Sequence, residues 1–376
     1  MDETFLIKLS QELIRNLPHW YGSDNWDSEV LPYRESIKDR IFTYKRIINR
    51  TIFNDYSLVR TTDINQLLEI LALLEHSVEG LPAFYRLLND DYSRSLLIML
   101  LAHRKMGYRK VKLPLNVPEY WAMRKFASTL VKSQNKINIE FRDFVLQHME
   151  LSTIGFPLEI FFLPGGVTIT FILKQYEYQR SLPAIKAQPG DFVIDAGGCW
   201  GDTSLYFAHT VGAHGKVYTF EFESDNLLVL HRNLALNPEL SKRIEVIPSA
   251  LWDKSGEEIS YSLNGPATSL FNNKEKQGSL RASTLTIDEF VKGKGLPRVD
   301  FIKMDIEGSE LKALQGAQQT MYKFKPQLAI SIYHKDEDFI EIPRYLDNLN
   351  LGYEFYMDHF TIYRGETILF ARTRPG

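Results

Sequence analysis

Through the first 150 or so positions apolar residues recur at helical spacing. Phe5, Leu6, Leu9, Leu13 and Ile14 make one stripe, and Leu67, Leu68, Leu71 and Leu74 make another behind a Thr62-Asp63 cap. The spacing predicts a mainly helical N-terminal domain over 1–150, broken by loops at 17–33 and 114–118, where aromatic, Pro and Gly residues collect. Near residue 155 the rhythm changes. Residues 159–163, the turn Pro164-Gly165-Gly166 and residues 167–173 read as a β-hairpin that opens a connecting segment over 151–190. From 191 to 376 short apolar runs alternate with helical stretches, predicting strands over 192–196, 216–220, 243–247, 299–304 and 327–332. Such alternation implies an α/β domain with a parallel sheet and right-handed crossovers. A late pair, 353–356 and 367–371, adds an antiparallel edge, and the turn-rich stretch 256–285 is expected to be an insertion near the active edge.

Composition narrows the picture only modestly. A chain of 376 residues with 44% hydrophobic and 24% charged positions is long enough for two units and belongs to the ordinary globular class. A net charge of -3 gives no case for a nucleic-acid partner, which selects for a strongly basic surface. The single cysteine, Cys199, excludes an intrachain disulfide and a Cys-rich zinc site, as suits a reducing compartment. Met1-Asp2-Glu3-Thr4 lacks the basic start of a secretory signal, and the apolar run 96–102 is far short of the ~20 residues that cross a bilayer. A cytoplasmic protein without a membrane span is expected.

The most informative segment runs from Phe192 through Asp195, Gly197, Gly198, Cys199, Trp200, Gly201, Asp202 and Thr203: a buried strand, a glycine turn and a helix start. Cys199 stands where a dinucleotide fingerprint repeats its glycine, which argues against a pyrophosphate cradle and a nicotinamide-dependent oxidoreductase. Asp195 at the strand end suits a cationic group such as an amino-acid ammonium. Glu221, at the end of the second strand, stands where an acid typically holds ribose hydroxyls. Singly these acids are ordinary turn, cap and strand-end residues; together they suit a nucleoside joined to an amino acid. Cys199 has no neighbouring histidine to activate it and reads as a packed turn residue.

From about Gln175 onward the chain resembles the FkbM family of S-adenosylmethionine-dependent methyltransferases. The resemblance rests on Gln175-Tyr176-Glu177, Pro189-Gly190-Asp191, residues 194–203, Val217 to Glu221 with Asn226, Asp305-Ile306-Glu307-Gly308-Ser309-Glu310 within 301–310, and Ser331-Ile332-Tyr333-His334-Lys335. It covers about half the chain, with weaker similarity through 89–94 and 107–114; the first eighty residues remain unassigned. It implies a class I methyltransferase sheet, S-adenosylmethionine as cofactor and O-methylation of a sugar, glycan or natural-product hydroxyl. The cofactor-binding set it implies is Tyr176, Asp195, Gly197, Gly198, Trp200, Gly201, Asp202, Thr203, Glu221, Asn226, Ala250, Leu251 and Asp305. A non-catalytic binding or scaffold protein on the same fold is the alternative from another class.

Methyl transfer to an alcohol needs a base or a metal near the hydroxyl. Asp305 and Glu307 follow the 299–304 strand at a spacing of two, which puts both carboxylates on one side if the chain stays extended. His334 follows the 327–332 strand. These three are the expected catalytic residues, although acids in a first helical turn, Glu310 included, also serve the helix dipole. Together they also suit a divalent ion, which the chemistry allows without requiring. The helical half is expected to shape the acceptor site or form a homodimer interface. Trp20, Tyr21, Trp26 and Tyr33 offer faces for a sugar, but an aromatic loop folded onto that half is the simpler reading, and Lys105, Arg109, Lys110 and Lys112 read as a solvated face.

Overall fold

The computed structural model describes residues 3–19, 21, 80–139, 144–261, 270–271 and 280–373. The expected helix behind Thr62-Asp63, the aromatic residues Trp20, Trp26 and Tyr33, and most of the turn formers between 262 and 279 lie outside them. The described residues divide into two units, those within Met1–Met123 with Thr361–Gly365 and those within Arg124–Phe360 with Glu366–Gly376.

Among its described residues the first unit is helical. Helix Glu3–Asn16 buries Phe5, Leu9 and Leu13 of its apolar stripe and leaves Ile14 exposed, and Phe5 meets Tyr85 of helix Leu81–Leu87 edge-on at 5.6 Å. Helix Asp91–Met106 starts where the Asp90 carboxylate accepts the Ser93 N–H at 2.7 Å and stops at Gly107. No helix among the described residues is long and apolar enough to cross a membrane.

The second unit opens with a three-stranded antiparallel sheet in the order β1 (Val131–Ile139), β2 (Phe144–Glu150), β3 (Glu159–Phe162). Two expectations fail here. Val131–Ile139 and Phe144–Glu150 were expected within the helical half but form strands, because the β-branched Val131, Ile137 and Ile139 favour an extended chain and no three-to-four-residue stripe continues into β1. The hairpin expected from 159–163 and 167–173 has only its first strand, because β3 pairs with β2 and Pro164 starts a helical turn, Pro164–Val167, that continues as a π-turn over Thr168–Ile172. The other edge of β3 is closed by two side-chain amides. Asn237 accepts the Glu159 N–H at 3.0 Å and donates to the Glu159 carbonyl at 2.6 Å, while Asn233 does the same for Phe161 at 2.7 and 3.2 Å.

The large sheet comprises β4 (Phe192–Ala196), β5 (Lys216–Phe220), β6 (Ile244–Ile247), β11 (Phe301–Met304), β12 (Gln327–Ser331), β13 (Tyr353–His359) and β14 (Thr367–Thr373). Between β6 and β11 come β7 (Ala250–Leu251), β8 (Glu258–Tyr261), β9 (Leu270–Phe271) and β10 (Leu280–Leu285), which form a small separate sheet ordered β7-β10-β8-β9. The large sheet runs β13-β14-β12-β11-β4-β5-β6. Strands β12, β11, β4, β5 and β6 are parallel, and β14 enters antiparallel between β12 and β13. That order is a Rossmann-like sheet with an antiparallel strand inserted beside one edge. Near-continuous burial along β4 and β11 explains why they read as unbroken apolar runs, since helices cover both faces of a parallel sheet. The order reverses between β4 and β11, so the carboxyl ends of these strands frame the crevice where such sheets gather ligands.

Candidate active site

The turn after β4 is built by close approach. Gly197 has φ +84°, and a Cβ there would stand 1.9 Å from the Asp305 carbonyl oxygen, so only glycine admits that backbone contact. The N–H groups of Gly197 and Gly198 both donate to the Phe220 carbonyl, at 2.9 and 3.0 Å, fastening the turn to the end of β5. Beneath it Lys303, only 1% exposed, donates to the carbonyls of Ala196 at 3.0 Å and Gly197 at 2.6 Å and pairs with Asp195 at 3.1 Å. Asp195 also accepts from Thr203 at 2.9 and 3.0 Å and from Ser204 at 2.8 Å. A buried charge is tolerable only when paired and fully hydrogen-bonded, and this pair meets both conditions.

Glu221 follows β5 directly. Its Oε2 accepts the Cys199 N–H at 2.9 Å, and its Oε1 accepts the Phe222 and Glu223 N–H groups, both at 2.8 Å. A carboxylate has about four acceptor positions. Three are filled, leaving one on Oε2 for an outside donor. Burial pushes the pKa up to about 7, against the pull of those three N–H donors. Tyr261 of the small sheet packs edge-on against Phe222 at 5.0 Å, so the 256–285 insertion does reach the edge where Glu221 lies.

The second focus gathers at the ends of β11 and β12. The Tyr176 hydroxyl donates to Asp305 Oδ2 at 2.9 Å, and the Tyr333 hydroxyl lies 3.2 Å from Oδ1. His334 Nε2 stands 3.3 Å from Asp305 Oδ1 and 3.5 Å from Glu307 Oε1, while Nδ1 stands 2.9 Å from Glu310 Oε1. These are ion-pair distances without hydrogen-bond alignment, and neither ring nitrogen completes an aligned hydrogen bond. Burial works against a charged ring, but Glu310, Asp305 and Glu307 push the His334 pKa well above its ordinary value. Burial likewise opposes ionisation of Asp305, yet His334, Lys303 and Tyr176 hold its carboxyl well below the usual range. Glu366, just before β14, is raised to about 8 by burial and then by Asp305; its carboxylate takes a hydrogen bond from the Gln175 amide. A carboxyl with that pKa is protonated at neutral pH.

Residues 186–355 match the family model described as the methyltransferase FkbM domain. The likeness to the FkbM family model is confined to that segment. Over an alignment of 194 residues the chain is 25% identical to methyltransferase sdnD of Sordaria araneosa, covering 43% of this chain and 74% of that relative. Among solved structures it is similar to the methyltransferase FkbM from Methylobacillus flagellatus KT, at 20% identity and a TM-score of 0.47, covering 80% of this chain and 60% of that one. It is also similar to Aeropyrum pernix fibrillarin in complex with natively bound S-adenosyl-L-methionine, at 12% identity and a TM-score of 0.35, covering 64% of this chain and 99% of that one. The chain thus spans 60% of the length of the Methylobacillus FkbM structure.

The structure brings some of the expected residues together and sets others apart. Asp305, Glu307 and His334 come together, with Tyr176 on Asp305; the route differs from the extended one predicted, since Glu307 takes φ +54° and the chain turns at once. Gly197, Gly198, Gly201 and Glu221 shape the turn at β4 and β5, and Asn226 lies in the first turn of helix Ser224–Leu236 with its N–H on the Glu223 cap at 3.2 Å. Ala250 and Leu251 are β7, buried and paired in parallel with β10. Asp195 and Thr203 are spent on each other and on Lys303, and Asp202 accepts the Thr170 hydroxyl at 2.9 Å, with burial raising its pKa to about 6. Trp200 turns inward: its ring meets Phe144 and Phe162 edge-on, each at 6.1 Å, and is 2% exposed. Burial pushes the Cys199 thiol pKa well up, consistent with a packed turn residue. Sequence reading missed Lys303, Tyr333 and Glu366. The first two stood inside matched blocks but counted as strand residues, and Glu366 gave no signal beyond being a lone acid before a strand.

Proposed function

We propose that the protein transfers the methyl group of S-adenosylmethionine to a hydroxyl of a sugar, glycan or natural-product acceptor. What carries the reading is the placement of two chemically different foci at one sheet edge: Glu221 with a free acceptor position beside the glycine turn, and the Asp305–Glu307–His334 cluster at the ends of the next strands across the order reversal. The residues suit the cofactor's chemistry. Glu221 offers an acceptor to a ribose hydroxyl, and no row of free backbone N–H groups awaits a pyrophosphate, because Gly197 and Gly198 already donate to Phe220. Asp195 acts here through Lys303, by fixing the turn, rather than by meeting an ammonium group itself.

When bound, S-adenosylmethionine supplies an electrophilic methyl carbon, so the chain must chiefly align the acceptor and receive its proton. The acceptor hydroxyl gives up its proton as its oxygen takes the methyl group, and Glu307 is the member of the Asp305–Glu307–His334 cluster that would receive it, with Asp305 and His334 holding Glu307 and the hydroxyl in place. Glu307 is the most accessible of the three side chains, 29% exposed against 18% for Asp305 and 7% for His334, and is the one an incoming hydroxyl reaches first. Tyr176 and Tyr333 hold Asp305 in place.

Calorimetry with S-adenosylhomocysteine and with NAD tests the cofactor, and labelled S-adenosylmethionine incubated with fractionated extracts identifies the product by mass spectrometry. Binding of S-adenosylhomocysteine with a raised melting temperature and no response to NAD is expected. Tight NAD binding with no response to the sulfur nucleoside would overturn the reading.

A further inference from the structure

We propose that Asp305, Glu307 and His334 form a divalent-cation site, a deepening that rests on the methyl-transfer reading above. One ligand atom from each lies within 4.8 Å of the others. The His334 Nε2 distances, 3.3 Å to Asp305 Oδ1 and 3.5 Å to Glu307 Oε1, are those of ligands sharing a small cation. For bonds of about 2.1 to 2.4 Å, neighbouring octahedral ligands stand roughly 3.0 to 3.4 Å apart. Only small side-chain shifts are needed to close the site.

A second observation points the same way. The His334 side chain is 7% exposed, and its Nε2, 3.3 Å from Asp305 and 3.5 Å from Glu307, makes an aligned hydrogen bond to neither. Buried polar atoms are normally satisfied, so a ring nitrogen facing two carboxylates in this way is placed to take a cation between them. Behind the ring Glu310, fully buried, lies 2.9 Å from Nδ1 and is itself held by the Ile306 N–H at 2.8 Å. A carboxylate behind the far nitrogen is how metal-binding imidazoles are commonly oriented. The Tyr333 hydroxyl at 3.2 Å leaves Asp305 Oδ1 a second lone pair, and Tyr176 occupies only Oδ2. Asp305, Glu307 and Glu310 bring three carboxylates to one imidazole, an excess of negative charge that a cation balances.

One imidazole with two carboxylates, the remaining positions left to water or a substrate oxygen, suits a cation of the manganese or magnesium kind better than a thiophilic one. Held there, it would polarise an approaching hydroxyl and ease the passage of its proton to the second oxygen of the Glu307 carboxylate.

The full chain, stripped with chelator, is titrated with manganese chloride while the free Mn2+ signal is followed by electron paramagnetic resonance. One manganese per chain is expected, with Asp305→Asn and His334→Gln each weakening uptake at least about tenfold. Glu307→Gln, at the most accessible ligand, supplies a variant whose folding is least at risk, and thermal unfolding of each variant checks that it is intact. No uptake by the unmodified chain, or uptake that none of the three substitutions alters, overturns the site. S-adenosylhomocysteine calorimetry on the same samples separates the two claims. Nucleoside binding without manganese uptake removes the cation alone; manganese uptake without nucleoside binding removes the methyl-transfer reading and leaves the site standing.

Discussion

Replacing Glu221 by glutamine tests the electrostatics of the strand-end acid without changing its volume. In the folded protein burial raises this carboxyl from its ordinary 4.5 to about 7. The unfolded chain therefore releases the proton from about pH 4.5, while the folded chain keeps it until about pH 7. Across that window the folded state binds more protons, so the contribution of Glu221 to stability falls as pH rises and levels off above it. A shift of this size corresponds to about 3 kcal/mol. The amide in Glu221→Gln does not titrate. It can still accept the Phe222 and Glu223 N–H groups, but it turns its own N–H toward the Cys199 N–H, a loss of about 1 to 3 kcal/mol at every pH. The substituted protein should thus be the less stable at pH 5, and the two proteins should converge or cross by pH 8. Urea unfolding of both at a series of pH values reads the difference directly, with other titrating groups cancelling. A difference that stays constant from pH 5 to pH 8 would show that Glu221 is already ionised throughout and that the three N–H donors outweigh its burial.

Lys303→Met leaves Asp195 as an uncompensated buried charge and should cost about 3 to 5 kcal/mol in urea unfolding; a loss under 1 kcal/mol would mean that Thr203 and Ser204 suffice. Gly197→Ala places a methyl group on the Asp305 carbonyl at a positive φ, and S-adenosylhomocysteine affinity by calorimetry should fall about tenfold or more. Unchanged affinity in that variant would detach the turn from the cofactor. His334→Ala should lower single-turnover methyl transfer by roughly a hundredfold while sparing cofactor affinity, once an acceptor is known; a folded variant of full activity would leave Asp305 and Glu307 to do the work.

Much of the large sheet was legible because buried parallel strands write themselves as apolar runs, as in Phe192–Ala196 and Phe301–Met304, and because the acids of the candidate site sit immediately after such runs. Asp305, Glu307 and His334 were readable for that reason. Trp200 was misplaced because its neighbours, Phe144 and Phe162, belong to a sheet that the sequence pattern assigned partly to helix and partly to a different hairpin. Pro164 looks alike before a turn or at a helix start, and only the pairing of β3 with β2 decides between them. Glu366 reaches the site from the β13–β14 hairpin, a long-range arrival without local periodicity. Lys303 shows a different limit: an inward lysine in a strand breaks the apolar pattern, and its partner Asp195 lies over a hundred residues away, brought near only by the register of β11 on β4.

The amides of Asn233 and Asn237 have a consequence for how the molecule meets its own kind. A strand at the margin of a sheet offers a ladder of unused donors and acceptors to any extended segment in solution, which is the usual start of aggregation. Along β3 the rungs at Glu159 and Phe161 are already occupied by side chains of a helix. The opposite margin, β1, exposes Lys136, whose charge disfavours stacking against a second copy, while Lys132 pairs with Glu159 of β3. The small sheet is thus guarded by saturation on one flank and by repulsion on the other, so that Asn233 and Asn237 protect solubility as well as packing.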